Sequence, residues 1–375
     1  MSGLSGASSG ISLCPSPSNL GIREFANDCH ANADLQQSVP RSSIALTYLV
    51  NSFLLHNIMA SSPIKSVLIL GAGWTGQQIA AQMIGHGVEV VLADKNAASL
   101  GHAIDWAIEF ACEQSTDGHW RSVNAEQLGE LISGVDLRLV DSASSEPNSD
   151  VSTKLANVDL AIECVSEQVA TKRRVLRQLS EILNPTCIIA SNSSYFVPSM
   201  LAPYVSHGQR FAHFHFHVPV DRATVVDIVP GPDCDAEVLE RLSELATRIG
   251  QTPLVQSVEN PGYIFNWILQ STLKSALQLV DRGVATPEQV DVSWKTVTGM
   301  PLGPFGIMDR IGLDVIEHVL ANGRWIEPPT PKETLEELEA LIQIVRQQTR
   351  DGRLGTKTGG GFFDYTDPKA SSKDD

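Results

Sequence analysis

Gly71-Ala-Gly-Trp-Thr-Gly76 stands directly after an apolar run, 67–70, and directly before a helix-like stretch, 77–85. A second apolar run, 88–93, follows and ends on Asp94. Strand, glycine turn, helix and strand make a βαβ unit, and few folds accommodate it. Gly71 permits the tight turn, Gly73 lets a pyrophosphate approach the backbone, and Gly76 lets the helix pack on the strand. Trp74 and Thr75 complete the turn, and the helix N-terminus faces the phosphates. An acid closing the second strand accepts hydrogen bonds from a ribose 2′-hydroxyl and repels a 2′-phosphate. With Asp94 in that place, the cofactor expected is NAD rather than NADP.

Further apolar runs at 137–140, 160–164, 187–190 and 211–215 alternate with helical segments, and 225–229 reads as one more strand. Alternation of this kind predicts an α/β, Rossmann-type doubly wound parallel sheet. After Pro261 the pattern is helical only, with helices expected over 263–280, 287–297, 313–320 and 333–348. The expected organisation is a disordered extension over 1–62, an NAD-binding domain over 63–258, an all-α C-terminal domain over 259–366 and a disordered tail over 367–375. Residues 1–43 are rich in Ser, Gly, Asn and Pro without a period. Residues 44–58 are apolar but too short to span a bilayer.

The 375 residues carry a net charge of −16, which excludes the basic surfaces that nucleic acid and anionic membranes reward. Six cysteines without a CxxC pair fit neither a disulfide framework nor a zinc site. A reducing, cytoplasmic setting is expected, with a mitochondrial one as the alternative.

Polar residues gather at the expected strand ends, where open α/β sheets bind ligands. Ser191-Asn-Ser-Ser194 follows one run, and His213, His215 and His217 alternate through another. Period two puts the three histidines on one face and Phe214 and Phe216 on the other. Side chains two apart on a strand converge poorly on one ion, and no nearby acid or Cys completes a set, so no metal is expected. His213 and His217 read as satisfied polar residues at a strand end.

The stretches 67–314 and 352–365 resemble the L-3-hydroxyacyl-CoA dehydrogenase family, with lambda-crystallin and L-gulonate 3-dehydrogenase as the neighbouring branch. The resemblance runs in order through Gly71–Gly76, Ile162-Glu-Cys-Val-Ser-Glu167 with Lys172, Ala190-Ser-Asn-Ser-Ser194, and His215-Phe-His-Val-Pro219. It continues through Pro261-Gly-Tyr-Ile-Phe-Asn266, Met300-Pro-Leu-Gly-Pro-Phe305, Asp309, Gly312-Leu-Asp314 and Gly355-Thr-Lys357. The segment 122–134 and the Glu163-Cys-Val run look like the gulonate branch; 300–314 looks more like the hydroxyacyl-CoA branch.

The resemblance implies an NAD-dependent oxidoreductase that interconverts 3-hydroxyacyl and 3-oxoacyl thioesters. It implies His215 as the general base, suited by an imidazole's affinity for protons near neutral pH. Asp227 stands where the family has a Glu that orients the histidine; being one methylene shorter, it requires a closer backbone or a bridging water. Ser194 and Asn266 would hold the substrate oxygen, and Glu167, Lys172 and Lys357 would contact the cofactor. Val218 replaces an Asn that touches the cofactor in the family, and His217 replaces an aromatic; both departures point to a divergent substrate. The implied partners are a CoA or carrier-protein thioester and a second copy of the chain. In the family the helix after the second strand helps hold the CoA nucleotide. Here Asp105, Glu109, Glu113 and Asp117 recur every four residues there, which disfavours free CoA. The alternatives are a dehydrogenase of a non-thioester 3-hydroxy acid and a catalytically silent NAD-binding protein.

Overall fold

The strands are β1 (Ser66–Leu70), β2 (Glu89–Asp94), β3 (Ile132–Asp136), β4 (Leu160–Glu163), β5 (Ile188–Ser191), β6 (Phe211–Phe216), β7 (Val225–Pro230) and β8 (Thr252–Val255). They form one sheet in the order β3-β2-β1-β4-β5-β6-β7-β8. This computed structural model describes residues 62–116, 120, 124–136, 149–321 and 332–366. All neighbouring strands run parallel except β6 and β7, which pair antiparallel. The order reverses about β1, and the crevice at the carboxyl ends of β1 and β4 is the place where such sheets receive a dinucleotide.

The sheet is covered on both faces, which is why β1, β2 and β5 read as apolar runs rather than alternating. Val67 and Ile69 point into a core with α1 (Trp74–Gly85), α2 (Ala97–Thr116), α3 (Ala125–Glu130) and α7 (Ala236–Arg248). Leu68 and Leu70 point the other way, into a core with α4 (Ser149–Ala156), α5 (Val169–Ile182) and α6 (Pro198–Leu201). Beyond the sheet lie α8 (Phe265–Asp281), α9 (Pro287–Thr298), α10 (Pro304–Ile311), α11 (Leu313–Ala321) and α12 (Lys332–Arg350). Leu277, Phe305, Met308, Leu313 and Val345 make their common core, each fully buried. The ends are built by local chemistry. Thr286 and Gln289 form a capping box around Pro287 at the start of α9, and Gly299 ends it in the left-handed region. Asp291 on α9 then accepts from the Phe305 and Gly306 amides, capping α10 from a neighbouring helix.

Several elements differ from expectation. The third strand is Ile132–Asp136, earlier than expected; 137–140 lies outside the described residues, as do residues 1–61, Asp117 and the tail 367–375. The edge strand β8 (Thr-Pro-Leu-Val) was not foreseen, because it is short, only half-buried and interrupted by a proline that an edge tolerates. The eight-residue α10 was also missed, since its glycine- and proline-rich start hides a short helix. Among the described residues no helix is long and apolar enough to cross a membrane.

Candidate active site

The cofactor half of the site begins where β1 ends. The Gly71 amide donates to Ala93 O at 2.8 Å, which joins the turn to β2. A Cβ at Gly71 would fall 2.6 Å from Cys164 O, and one at Gly76 would fall 1.9 Å from Gly71 O. Backbone packing alone therefore demands glycine at both positions. Gly73 opens onto free space and serves as the N-cap of α1, with no side-chain cap and no acid in the first turn. The first amides of α1 remain available to an anion, and the helix dipole favours one there.

Asp94 is held in the crevice at both oxygens: Oδ2 accepts from the Ala72 amide at 2.9 Å and Oδ1 from the Asn96 amide at 2.8 Å. Gly71, Gly73, Trp74, Thr75, Asp94 and Lys172 line a cavity of about 610 Å³, a size suited to a dinucleotide-class ligand. Its wall also includes Glu167, Asn192 and Ser194, so the cofactor crevice and the serine loop share one cavity.

Behind that wall lies a buried ion cluster. Lys172 Nζ donates to Glu163 at 2.8 and 3.1 Å and to Val165 O at 3.2 Å, and pairs with Glu167 at 3.1 Å. Burial opposes its charge, but Glu163 and then Glu167 outweigh it and hold the ammonium above the usual lysine range. Glu167 also accepts from Ser193 Oγ at 2.6 Å. Lys357 stands elsewhere, paired with Asp314 at 2.5 Å in the helical region and outside this cavity.

The chemical half is built across β6 and β7. Antiparallel register sets His215 directly opposite Asp227. The Asp227 carboxylate, though shorter than a glutamate, reaches His215 Nδ1 directly at 3.1 Å. Register and not a water bridge makes up for the missing methylene. His215 Nε2 meets Ser194 Oγ at 3.1 Å, giving a line of Ser194, His215 and Asp227. Asn192 Oδ1 accepts from the Phe216 amide at 2.8 Å and pins the serine loop against β6. Burial lowers the His215 imidazole below its usual range by more than the Asp227 hydrogen bond restores. Burial acts to raise Asp227, yet the hydrogen bonds from His215 and His217 prevail and hold it below the usual carboxylate range. His215 is thus neutral near pH 7, with Nδ1–H toward Asp227 and a lone pair at Nε2.

Two neighbours of this line were not foreseen. Gln256, just past the unexpected β8, donates from Nε2 to Asp227 Oδ1 at 2.8 Å. Tyr263, at a left-handed φ of 54°, stacks on His215 with centroids 4.6 Å apart. It lay inside the Pro261–Asn266 motif, but nothing in that motif signals a ring contact with a strand. Its hydroxyl donates to Ser193 O at 2.5 Å and so accepts from His213 Nδ1 at 2.8 Å. His213 was expected to be satisfied; instead its Nε2 is buried without a partner, and burial holds the ring well below the usual imidazole range. His217 is satisfied, with Nε2 at 2.8 Å from Asp227 Oδ2. Strand pairing therefore supplies the acid that inspection of β6 alone did not find. One ligand-type atom each from His215, His217 and Asp227 lies within 4.8 Å of the others, and hydrogen bonds among the three account for that grouping. Asn266 sits half-buried in the first turn of α8.

Residues 66–259 match the family model for the 3-hydroxyacyl-CoA dehydrogenase NAD-binding domain, and 262–365 match that for its C-terminal domain. The chain belongs to the 3-hydroxyacyl-CoA dehydrogenase family. It is 29% identical over 306 residues to a probable 3-hydroxyacyl-CoA dehydrogenase of Caenorhabditis elegans, covering 82% of this chain and 97% of that one. It is 30% identical to the 3-hydroxyadipyl-CoA dehydrogenase of Escherichia coli, covering 80% of this chain and 59% of that one. Among solved structures it resembles a diketoreductase described as acting on dicarbonyl compounds, with a TM-score of 0.69, 28% identity and coverage of 81% and 100%. It also resembles the 3-hydroxybutyryl-CoA dehydrogenase of Escherichia coli, with a TM-score of 0.67, 27% identity and coverage of 81% and 60%. This family member is an NAD-dependent oxidoreductase of the 3-hydroxyacyl-CoA dehydrogenase type.

Proposed function

We propose that the chain interconverts a 3-hydroxyacyl thioester and its 3-oxoacyl partner, with His215 as general base and acid. The observation that carries this reading is Ser194, which lines the dinucleotide cavity and also bonds to His215 Nε2. A substrate hydroxyl that takes the place of the serine contact meets a neutral, water-shielded imidazole whose lone pair faces it. His215 takes the hydroxyl proton at Nε2, and Asp227 at Nδ1 steadies the imidazolium as it forms. When bound in the crevice, NAD would supply the acceptor for the hydride from C3. Ser194 and Asn266 hold the oxygen on which charge changes. Asp94 would hold the adenosine ribose, and the α1 amides the pyrophosphate.

A substrate lacking the CoA nucleotide is a second reading. Asp105, Glu109 and Glu113 are exposed along one face of α2, a repulsive field for phosphates where the family resemblance puts the nucleotide. The exposed apolar residues Trp267, Ile268, Leu279, Val292 and Val297 on α8 and α9 support a homodimer through the helical region.

The test is NADH oxidation against acetoacetyl-CoA, longer 3-oxoacyl-CoAs, their pantetheine and carrier-protein counterparts and free 3-oxo acids, with NAD reduction followed for free 3-hydroxy sugar acids. Turnover of thioesters is expected, and His215→Gln should lower it by roughly a hundredfold or more while leaving NADH affinity intact. Activity on free acids alone defeats the thioester reading. Retention of most of the turnover in His215→Gln defeats the assignment of the base. A preference for pantetheine over CoA that fades at high salt supports the second reading, and a CoA preference at low salt defeats it.

A further inference from the structure

We propose that His217 is a positioning residue of the reaction: it clamps Asp227 beside His215 and so weakens the carboxylate as the base's partner. The inference rests on His215 being the base. Two imidazoles donate to one oxygen, Asp227 Oδ2, from His215 Nδ1 at 3.1 Å and from His217 Nε2 at 2.8 Å. Gln256 Nε2 donates to the other oxygen at 2.8 Å. Asp227 is fully buried, and these donors share its charge. A carboxylate that already accepts from other donors is a weaker base toward each of them.

The clamp is rigid because its parts are. Asp227 has a short side chain held at both oxygens. The His217 ring packs edge-on against Phe265 at 5.6 Å and against His215 at 4.7 Å. The groups facing His215 are Asp227 from β7, His213 and His217 from its own strand, Glu167 from the loop after β4, Ser194 after β5 and the Tyr263 ring. Lys172 on α5 faces His213 behind it. Asp227 and Glu167 favour an imidazolium at His215; His217 is the neighbour that both competes for Asp227 and, when protonated, repels that charge. Its effect is to keep His215 deprotonated, hence competent as a base, further into the acid range than a one-to-one imidazole–carboxylate pair would allow.

The experiment titrates 15N-histidine-labelled full-length protein by NMR to follow His215 directly, alongside the pH profile of kcat/KM for NAD-dependent oxidation of a 3-hydroxyacyl thioester. His217→Phe, which keeps the packing on Phe265 and removes the donor, should move the His215 midpoint and the acid limb upward by about one pH unit. His217→Gln, whose amide can donate to the same oxygen, should return both toward wild type. Gln256→Leu, which removes the donor on the other oxygen without touching β6, should shift them in the same direction as His217→Phe. An unmoved His215 titration in folded His217→Phe overturns the proposal. So does a His217→Gln shift as large as that of His217→Phe. Should His217→Phe fail to fold, opposite or absent shifts in Gln256→Leu overturn it and the expected upward shift supports it. The NMR arm needs no turnover, so an inactive wild-type protein with the expected shifts refutes the thioester reading and leaves the clamp standing.

Discussion

Asp94 shows how much one carboxylate can hold in place at the residue scale. One oxygen fastens the glycine turn through the Ala72 amide and the other starts the loop to α2 through the Asn96 amide. Asp94 and Lys95 both line the cofactor cavity. Asp94→Ala should therefore weaken NADH binding and reduce the discrimination against NADPH, each by roughly tenfold, the size expected for a lost hydrogen bond to a charged group. Competitive titrations of both nucleotides measure this. An unchanged ratio would mean that selectivity resides in Lys95 or elsewhere. The turn and the acid were legible in the sequence because both follow from local spacing. The partners of His215 were only partly so. Asp227 was found through the family motif, whereas Gln256 reaches Asp227 through strand pairing and Tyr263 reaches the imidazole through a ring contact, neither of which any linear spacing encodes.

Among the elements, α10 is the clearest case of structure fixed from outside itself. Asp309 on its last turn accepts from the Phe362 and Phe363 amides at 2.9 Å each and from the Tyr365 hydroxyl at 3.0 Å, all across more than fifty residues of chain. It is fully buried, so removing it strands two amides and a hydroxyl. Asp309→Ala should lower the free energy of unfolding by roughly 3 kcal/mol, measured by chemical denaturation. A loss under about 1 kcal/mol would show that the C-terminal segment holds itself without this staple. The same logic explains which elements the sequence displayed. Strands buried on both faces announce themselves as apolar runs, and α12 as an apolar stripe at helical spacing. The edge strand β8 and the capped α10 owe their existence to partners distant in the chain, so their own residues say little.

For the molecule as a whole, three imidazoles tie stability to acidity. His86, His213 and His215 are all lowered from the ordinary value of 6.5, in each case chiefly by burial. The unfolded chain takes up protons near that pH that the folded chain refuses, so protons bound on unfolding exceed those bound when folded. Stability should hold above pH 7 and fall as pH drops through 6.5 toward 5. Asp291 and Asp309, raised by burial from 3.8, bring an opposing effect as pH falls toward that value. Melting temperatures recorded from pH 7.5 to 5 check this, and a flat profile would show that the buried rings protonate without loss of structure. The antiparallel pairing of β6 with β7 has one more consequence. Histidine and carboxylate share a single ladder, whereas Tyr263 and Asn266 arrive from the approach to α8 and its first turn. A swing of the helices away from the sheet would strip the imidazole of its stacked ring and the substrate of its amide, yet leave the proton relay assembled. On the proposed reading, proton handling is thereby built into the sheet, and recognition is shared with the helices.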